Sequence, residues 1–586
     1  MKIYGKDFFV KGFETRGDFS LNEISNNVGV KEIGFSCQYN EAVKANPIQI
    51  TFYLPALNIL TAYAQTVGQA RLSRSFKPEW NPFVVSSRLS SGSPTVSLID
   101  YEEKNVYTIS VSDVINPIEI KVGLVEEDAS CRVDIFLFSS ESKILKNYQI
   151  KIRIDERKIP YHQSLWDAEK YLFEENRLKP CYVPEAAKLP VYSTWYSYHQ
   201  NLTDEKLIEE CLIAKQMGME TIIVDDGWQT NDIQRGYTYC GDWEIEPTKF
   251  PNVKKFVETV HQIGMKVVFW FSLPFLGKNA ECYKEFSSMV LDDPNQPFCV
   301  LDPRYPKVRN YLMGKYVRAV QEWGLDGLKL DFIDSFKTTK YSSKKNENMD
   351  YDNLYDAINS MMLTIRNTLQ QINPEIMLEF RQTYIGPVMQ TYGNMFRVGD
   401  CPCDSLTNRV SAIDMRLNMH SVVVHSDMIM WNYEDSVESA SKQLLSIFFT
   451  VPQISVRLNK IPACHRQMLK HYLSVWLEHR DVLLDGSFKA YGIDGTYTYL
   501  EMQNEEKAFF LDFGKNNCKI ISKKKNIYLN LTATREVYFD CGITRKTFIV
   551  YDVLGNELEK IDADGLLKIN VPHSGMVIIM ENGERI

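Results

Sequence analysis

A lysine and an aspartate lie two residues apart in the segment GLDGLKLDFIDS, residues 324–335. In a β-strand alternate side chains point to the same face, so Lys329 and Asp331 share one face while Leu328 and Leu330 pack on the other. A neighbouring cation favours the ionised form of a carboxylate, and an ionised carboxylate can act as a nucleophile. The structural alternative is a plain ion pair.

A second carboxylate, Asp400, occurs in a different setting, in the segment RVGDCPCD. Its apolar and sulfur neighbours and the negative charge of Asp331 are expected to help it keep a proton. Glycoside cleavage needs such a pair, because one carboxylate attacks or stabilises the anomeric carbon while a carboxylic acid protonates the departing oxygen. The residues therefore predict Asp331 as nucleophile and Asp400 as general acid and later base. Cys401 and Cys403 are too close together for a typical metal or disulfide pair and are predicted to be structural thiols.

Strands distant in the sequence must bring these aspartates together. Helical periodicity separates the strands: Thr203 is expected to cap a helix that ends near Gly218, and the helix in VKKFVETVHQIG is expected to stop at Gly264. Eight strands, each followed by a helix or a long loop, predict a closed (β/α)₈ barrel. A doubly wound sheet is the competing arrangement, but its glycine-rich nucleotide turn is not found. The eight predicted strands are 191–195, 221–226, 266–271, 327–332, 376–380, 395–400, 421–425 and 452–457.

The chain of 586 residues is long enough for several domains. Short β-rich segments without long helical periodicity predict an N-terminal β-sandwich over residues 1–180. The barrel is expected over 185–484, and renewed strand alternation predicts a smaller antiparallel β-sandwich over 485–586.

Composition narrows the function classes. A net charge of −9 argues against a nucleic-acid partner. No apolar run reaches the length of a membrane span, and the N-terminus lacks the apolar core of a signal peptide. Twelve cysteines without zinc spacing favour a reducing compartment. We therefore expect a cytoplasmic protein, unless a leader has been removed, that needs no metal or organic cofactor. Assembly into a homo-oligomer is left open.

Polar residues cluster where the predicted strands end, which is the active-site end of a barrel enzyme. Most are carboxylates, and carboxylates with aromatic residues suit sugar hydroxyls better than transition metals. These strand-end residues are Trp195, Asp225, Asp226, Lys329, Asp331, Glu379, Arg381, Arg397, Asp400 and, beyond the seventh strand, Asp427.

Several motifs together resemble the catalytic barrel of glycoside hydrolase family 36, the α-galactosidase family, which is related to families 27 and 31. They are YSTWYSYHQNLTDEKLIEECLIAKQMGMETIIVDDGWQT, GDWEIEPTKFPN, LDPRYPKVRNYL and WGLDGLKLDFID, within residues 190–430. The resemblance implies an N-terminal β-sandwich, a barrel and a C-terminal β-domain. It also implies that Asp331 is a retaining nucleophile and that Asp400 is the acid/base.

The resemblance also implies sugar contacts. Lys329 is expected to bind a hydroxyl, Asp225 and Asp226 to hold the hydroxyls around C4 and C6, and Trp195 with Tyr196 to line the pocket. Arg397 is similar to an arginine shortly before the acid/base, although its tight spacing leaves open a role as an ion-pair anchor. Trp270 completes the predicted substrate-binding residues.

Two loops depart from the family pattern. WFSLPFLG replaces a tryptophan-phenylalanine-glutamate-proline stretch, and EFRQTYIGP replaces a loop rich in cysteine and glycine. The second loop in this family commonly touches the sugar 2-position. Glu379, Arg381 and Tyr384 are therefore expected to take over that contact, for a differently substituted sugar.

The sequence thus predicts a retaining exo-acting α-glycosidase, foremost an α-galactosidase, acting on an oligosaccharide or another α-glycoside. The alternatives are an α-glucosidase, an α-xylosidase, an α-galactosyl transferase or a non-catalytic carbohydrate-binding homologue. A metallohydrolase is disfavoured because the nine histidines of the chain are not clustered in the sequence.

Overall fold

The computed structural model describes residues 1–12, 17–44, 47–65, 74–140, 143–521 and 523–581. The N-terminal region is built of strands β1 (Lys2–Ile3), β2 (Lys6–Lys11), β3 (Gly17–Asn27), β4 (Val30–Lys44), β5 (Ile48–Pro55), β6 (Thr61–Tyr63), β7 (Phe83–Ser87), β8 (Thr95–Ile99), β9 (Asn105–Val111), β10 (Ile118–Val125), β11 (Ser130–Leu137) and β12 (Ile144–Asp155).

These strands form two six-stranded sheets, in the orders β1-β2-β5-β11-β10-β7 and β3-β4-β12-β9-β8-β6. In β4 every second residue from Ile33 to Tyr39 is buried, which is the alternation of a sheet with one face on the core. The expected N-terminal β-sandwich fold is confirmed.

One element of this region was not predicted. Helix α1 (Tyr161–Glu175) follows the sandwich and leads towards the barrel. Its buried positions include Tyr161, Leu165, Ala168 and Leu172, which recur at helical spacing. The expectation that residues 1–180 lack a long helix is therefore wrong.

The central region contains, in order, the 3₁₀ helix Glu185–Lys188, β13 (Val191–Ser193), α2 (Trp195–Tyr198), α3 (Asp204–Gln216), β14 (Thr221–Val224), α4 (Val253–Ile263), β15 (Lys266–Ser272), β16 (Phe275–Gly277), α5 (Tyr283–Phe286), β17 (Phe298–Val300), α6 (Pro306–Gln321), β18 (Gly327–Asp331), the 3₁₀ helix Ile333–Ser335, α7 (Leu354–Ile372), β19 (Met377–Arg381), the 3₁₀ helix Met389–Thr391, β20 (Met395–Arg397), α8 (Ser405–Arg416), β21 (Val423–Ile429), α9 (Val437–Leu445), β22 (Val451–Ile454) and α10 (Ala463–Asp485).

Eight of these strands close a barrel in the order β13-β14-β15-β18-β19-β20-β21-β22. Each neighbouring pair is parallel, including β13 with β22. Each of the eight predicted segments overlaps one of them, so the predicted barrel is confirmed. The seventh strand, β21, extends to Ile429, so Asp427 lies within it rather than beyond its end.

Local signals in the sequence explain where the barrel helices begin and end. The Thr203 hydroxyl accepts a hydrogen bond from the backbone N–H of Lys206 and so caps α3. Helix α4 is capped by Asn252 and ends at Gly264, whose φ of +90° suits glycine. Within the described ranges, no helix is both long enough and apolar enough to cross a membrane.

The C-terminal region contains β23 (Ser487–Tyr491), β24 (Tyr499–Gln503), β25 (Lys507–Asp512), β26 (Asn517–Lys519), β27 (Lys525–Asn530), β28 (Glu536–Asp540), β29 (Lys546–Tyr551), β30 (Glu557–Ala563), β31 (Leu566–Asn570) and β32 (Met576–Glu581). They form a seven-stranded sheet, β23-β24-β25-β27-β32-β29-β30, and a three-stranded sheet, β26-β28-β31.

The smaller C-terminal sandwich is thus present, but it is not wholly antiparallel. Strands β25 and β27 are parallel neighbours, as are β26 and β28. Because β26 lies in the second sheet, the chain leaves the first sheet after β25 and can re-enter it as β27 in the same direction. The predicted domain limits remain a prediction.

Candidate active site

The register of the barrel strands brings the predicted polar residues to one end. Strand β15 pairs with β18 so that Trp270 aligns with Lys329 and Ser272 with Asp331. Carboxyl ends of parallel barrel strands lie at the same rim, so side chains from distant segments meet there. They line one pocket formed by Trp195, Asp225, Asp226, Tyr237, Trp270, Lys329, Asp331, Phe332, Arg381, Arg397 and Asp400.

The pocket is small. About 40 Å³ of it is open to the centres of water molecules. Such a space excludes a stretch of polysaccharide. Asp331 and Asp400, separated by 69 positions in the sequence, both contribute to its wall.

The carboxylate of Asp331 is held by several donors. The Trp270 indole N–H donates to Oδ2 over 2.9 Å, and the Arg381 Nε donates to Oδ1 over 3.0 Å. The Tyr384 hydroxyl and the backbone N–H of Phe332 also donate to Oδ1. Asp331 is buried, so these bonds fix the direction in which its oxygens face the pocket.

Lys329 does not pair with Asp331, contrary to the prediction. Its ammonium donates to Oδ2 of Asp225 over 2.5 Å, and both side chains are almost completely buried. The cation beside Asp331 is instead Arg381. Lys329 and Asp225 therefore form a buried ion pair in the pocket wall, and their predicted sugar contacts remain a prediction.

Asp226 is held by two glutamine side chains. Gln200 Nε2 donates to its Oδ2 over 2.7 Å, and Gln229 Nε2 donates to its Oδ1 over 2.6 Å. Burial raises the pKa of Asp226 to about 6, against the opposing effect of these hydrogen bonds. Asp226 can therefore change its protonation state in the mildly acidic range.

Asp400 does not retain a proton in the free pocket, which corrects the sequence prediction. Its side chain is 44% exposed and forms an ion pair with Arg397, with 2.9 Å between Nη2 and Oδ1. Burial raises the pKa of Asp400, but Arg397, Arg381 and Lys329 outweigh this effect and lower it to about 2. The nearby cations, which the sequence argument did not count, decide its charge.

Arg397 is the anchor of an ionic cluster behind the pocket. It pairs with Asp427 as well as with Asp400. Its Nε lies 3.8 Å from Oε1 of Glu379. This arrangement agrees with the ion-pair role that the tight sequence spacing left open.

Two predicted substrate contacts lie outside the pocket wall. Glu379 is fully buried inside the barrel, where Gln453 Nε2 donates to it over 2.6 Å. The Tyr196 hydroxyl donates to Asp427 over 3.0 Å, behind the pocket. Their positions near strand ends are as expected, but their side chains serve the buried polar network and not the wall.

Other functional residues were missed by the sequence argument. Tyr237 lines the pocket, and its ring stacks near that of Trp270 with centroids 6.3 Å apart. It comes from the long segment between β14 and α4, where no periodic pattern marks a side chain. Phe332 and the two glutamines that hold Asp226 were also missed, although Gln229 directly follows the VDDGW motif.

Comparisons with known proteins agree with this geometry. A family model described as Melibiase matches residues 169–386. Residues 169–386 of the chain thus resemble the melibiase family. This confirms the resemblance to the α-galactosidases of glycoside hydrolase family 36 that the sequence motifs carry.

Two curated relatives of this chain come from bacteria. Alpha-galactosidase Mel36A of Lactobacillus acidophilus is 27% identical over 148 residues, covering 24% of this chain and 19% of that protein. Alpha-galactosidase 2 of Pediococcus pentosaceus is 28% identical over 158 residues, covering 25% of this chain and 22% of that protein. The matched segment thus spans about a fifth of the length of these relatives.

A solved structure shares the fold of this chain over most of its length. It is a variant of the GH36 α-galactosidase AgaA from Geobacillus stearothermophilus in complex with raffinose. The TM-score is 0.65 at 12% sequence identity, covering 94% of this chain and 79% of that chain.

In the described part of the chain, no group of three His, Cys, Asp or Glu side chains is arranged to hold a metal ion.

The N-terminal sandwich supports the loop that carries Tyr384. The backbone N–H of Gly92 donates to the carbonyl of Ile385 over 2.7 Å, and the Ser91 hydroxyl donates to the carbonyl of Thr383 over 3.2 Å. Arg88 donates to the carbonyl of Asp334, three residues after Asp331. These hydrogen bonds, called the brace below, connect the sandwich to the loop after β19 and to the loop after β18, the two loops beside the Asp331 carboxylate.

Replacing Gly386 by alanine is expected to disturb this brace. An alanine Cβ there would lie 2.4 Å from the carbonyl oxygen of Gly92, so the loop must move. Misplacement of a positioning loop by about 1 Å can cost about 100-fold in rate, and we expect kcat to fall about 10- to 100-fold. Steady-state kinetics with an aryl α-galactoside measures this.

The matched control is Gly314→Ala in α6, where an added Cβ meets nothing within 4 Å. It should leave kcat unchanged. Equal kinetics for the two variants would contradict a role of the brace in positioning the Asp331 loop.

Proposed function

We propose that the chain is a retaining exo-acting α-glycosidase that removes terminal α-linked galactose from oligosaccharides. The observation that carries this proposal is the convergence of Asp331 and Asp400 in the wall of one small pocket. The two carboxylates differ in environment, as double displacement requires. One is buried under several donors, and the other is partly exposed at the mouth.

The names of the relatives support galactose as the sugar. Both curated relatives are named α-galactosidases, and the AgaA structure holds raffinose. No observation favours an α-glucosidase, an α-xylosidase or a transferase. An oligosaccharide with a terminal galactose is therefore the proposed substrate.

In the proposed first step, an Asp331 oxygen attacks the anomeric carbon and forms a glycosyl ester. The bond to the departing oxygen breaks, and Asp400 gives that oxygen its proton. In the second step Asp400 takes a proton from water, and the water oxygen replaces Asp331 at the anomeric carbon. Two displacements retain the α configuration.

The low pKa of Asp400 suits the second step directly, because an ionised carboxylate is the base. The first step needs the protonated form, so substrate binding has to raise this pKa. A bound sugar covers the exposed part of Asp400 and removes water from it, which acts in that direction. The acid is therefore formed in the complex rather than in the free pocket.

The proposed sugar contacts involve the opposite wall. Asp225 and Asp226 are placed to accept hydrogen bonds from hydroxyls, and Lys329 to donate to one. Trp195, Trp270 and Tyr237 offer aromatic surface to the ring. Arg381 remains the candidate for the 2-position, since it lines the pocket whereas Glu379 and Tyr384 do not.

A panel of 4-nitrophenyl α-glycosides tests the function. We expect kcat/KM on the α-galactoside to exceed that on the α-glucoside, the α-xyloside and the N-acetyl-α-galactosaminide by at least about 10-fold. Proton NMR during hydrolysis should show α-galactose before its β anomer. A first product with β configuration, or turnover of none of the four, contradicts the proposal.

The pH dependence of substrate affinity is expected to follow Asp226. A carboxylate with a pKa of about 6 is charged above pH 6 and becomes protonated as the pH falls below it. Its protonated form accepts hydroxyl hydrogen bonds less well, so KM should rise about 10-fold per pH unit below pH 6. Initial rates between pH 4 and pH 8 measure this limb.

Asp427 is the competing group, because burial also raises its pKa to about 6. It lies behind Arg397 and not in the pocket wall. Asp226→Asn should raise KM at pH 7 by at least about 10-fold, the loss of a hydrogen bond to a charged group. It should also remove the acid limb of KM. If the limb persists in this variant, Asp427 or another group is responsible.

A further inference from the structure

A second and larger cavity lies at the other end of the barrel. It is walled by α1, by the chain entering β21, by the end of α10 and by the start of β23. Its volume open to the centres of water molecules is about 630 Å³, against about 40 Å³ in the active-site pocket. Because β21 begins here, the cavity faces the amino ends of the barrel strands, away from Asp331 and Asp400.

An indole ring forms an open platform in this cavity. Trp166 is 53% exposed although it belongs to a helix packed between two domains. One face of its ring stacks on His420, with centroids 4.5 Å apart and planes at 24°. The exposed remainder is available to a ligand with a flat apolar face.

The acidic and basic residues of the wall are already paired. Lys188 pairs with Asp485 over 3.3 Å, both being wall residues. Lys489 pairs with Glu501 over 2.9 Å. Asp167 pairs with Arg157 over 2.6 Å.

The remaining cation, Arg416, is also satisfied. Its guanidinium donates to the carbonyls of Phe449, Leu483 and Leu484 over 2.6, 2.6 and 2.9 Å. It thereby caps the last turn of α10. The wall therefore offers no unpaired charge that calls for an ionic ligand.

Neutral polar groups remain for a ligand to use. His162 and Gln163 contribute polar side chains to the wall. Burial lowers the pKa of His162 to about 4, as it does for His420, so both imidazoles are neutral near pH 7. The Gln163 amide and the His162 imidazole can form hydrogen bonds with the hydroxyls of a sugar ring whose apolar face stacks on the Trp166 indole.

We propose that this cavity is a non-catalytic binding site for a neutral oligosaccharide, one ring of which stacks on Trp166. The combination of an open indole, neutral donors and acceptors, and charged groups that already have hydrogen-bond or ion-pair partners favours a sugar over an anion or a cation. The site lies at the opposite end of the barrel from the pocket, so it can hold one part of a glycan without blocking the other site. This proposal does not depend on the proposed hydrolase activity.

The test measures sugar binding while the active-site pocket is filled. The protein sample is the Asp331→Asn variant, which prevents turnover, and excess 1-deoxygalactonojirimycin fills its active-site pocket. Saturation-transfer NMR then measures the binding of stachyose to this sample. We expect stachyose binding to persist in this background and to weaken at least 10-fold on adding Trp166→Ala. Trp80→Ala, which removes another exposed indole, 73% exposed and outside the cavity, should have no effect.

Each other outcome is informative. Loss of all stachyose binding once the pocket is filled, or equal binding in the Trp166→Ala and Trp80→Ala variants, overturns the proposal. A fall in molecular mass by light scattering in Trp166→Ala, with sugar binding unchanged, identifies the cavity as a contact between copies of the chain and also overturns it. Thermal unfolding with and without the iminosugar checks that the active-site pocket is filled. If the iminosugar does not raise the Tm, the result counts against the proposed hydrolase function, but the comparison of Trp166→Ala with Trp80→Ala remains valid.

Discussion

Replacing Asp331 by glycine is expected to lower kcat on an aryl α-galactoside by at least about 10⁴-fold. The proposed mechanism routes the reaction through a bond between Asp331 and the anomeric carbon, and glycine cannot form it. The loss corresponds to about 5 kcal/mol of transition-state stabilisation. The neighbouring donors from Trp270, Arg381 and Tyr384 lose their acceptor but stay in place.

Azide gives this variant a specific readout. The space left by the carboxylate admits a small anion beside the Arg381 guanidinium, and azide can attack the anomeric carbon from that side. One displacement inverts the configuration, so the product should be β-galactosyl azide. Full activity of Asp331→Gly without azide, or an α-azide product, contradicts the assignment of Asp331 as nucleophile.

The barrel was predictable because its signals are local. Most of the buried parallel strands are dominated by apolar residues, and helices such as α3 and α4 carry local capping signals, as Thr203 and Gly264 illustrate. The same kind of signal was present for α1, where buried residues recur from Tyr161 to Leu172. That helix was missed although the sequence contains its pattern.

The pairing of Lys329 was not predictable from its strand. Side chains two residues apart on one strand share a face and can pair directly, as Glu119 and Lys121 do over 3.0 Å on β10. In a closed barrel, inward-pointing side chains also meet across the interior, and there Lys329 pairs with Asp225, which directly follows β14, a strand that does not neighbour β18. A sequence pattern gives the face of a residue but not its partner across a barrel.

The predicted protonation state of Asp400 was wrong for a related reason. The sequence argument weighed the apolar neighbours of Asp400 but not Arg397, three residues before it, which lowers its pKa most. Arg381 and Lys329, from other strands, add to this effect. The support of Ile385 by Gly92 is likewise a contact between residues nearly 300 positions apart. The pKa of Asp400 and the hydrogen bond between Gly92 and Ile385 therefore depend on the assembled fold.

Replacing Asp400 by glycine is expected to separate substrates by their leaving groups. An acid assists the departure of a poor leaving group such as the alcohol released from raffinose, and its removal typically costs 10²- to 10⁴-fold. We expect kcat/KM on raffinose to fall by at least about 10³-fold. On 2,4-dinitrophenyl α-galactoside, whose leaving group needs no proton, kcat/KM should fall less than about 10-fold.

The second step gives Asp400→Gly a further signature that distinguishes it from Asp331→Gly. Without the base, water attacks the glycosyl ester slowly, so the intermediate accumulates and KM for the activated substrate should fall with kcat. Azide needs no base and should restore turnover, giving α-galactosyl azide because two displacements have occurred. In the free pocket Asp400 interacts electrostatically with Arg397, Arg381 and Lys329. If Asp400 had only a structural role in this cluster, a different result would be expected. Removing a structural ion pair should lower activity equally on both substrates, and azide should then restore neither.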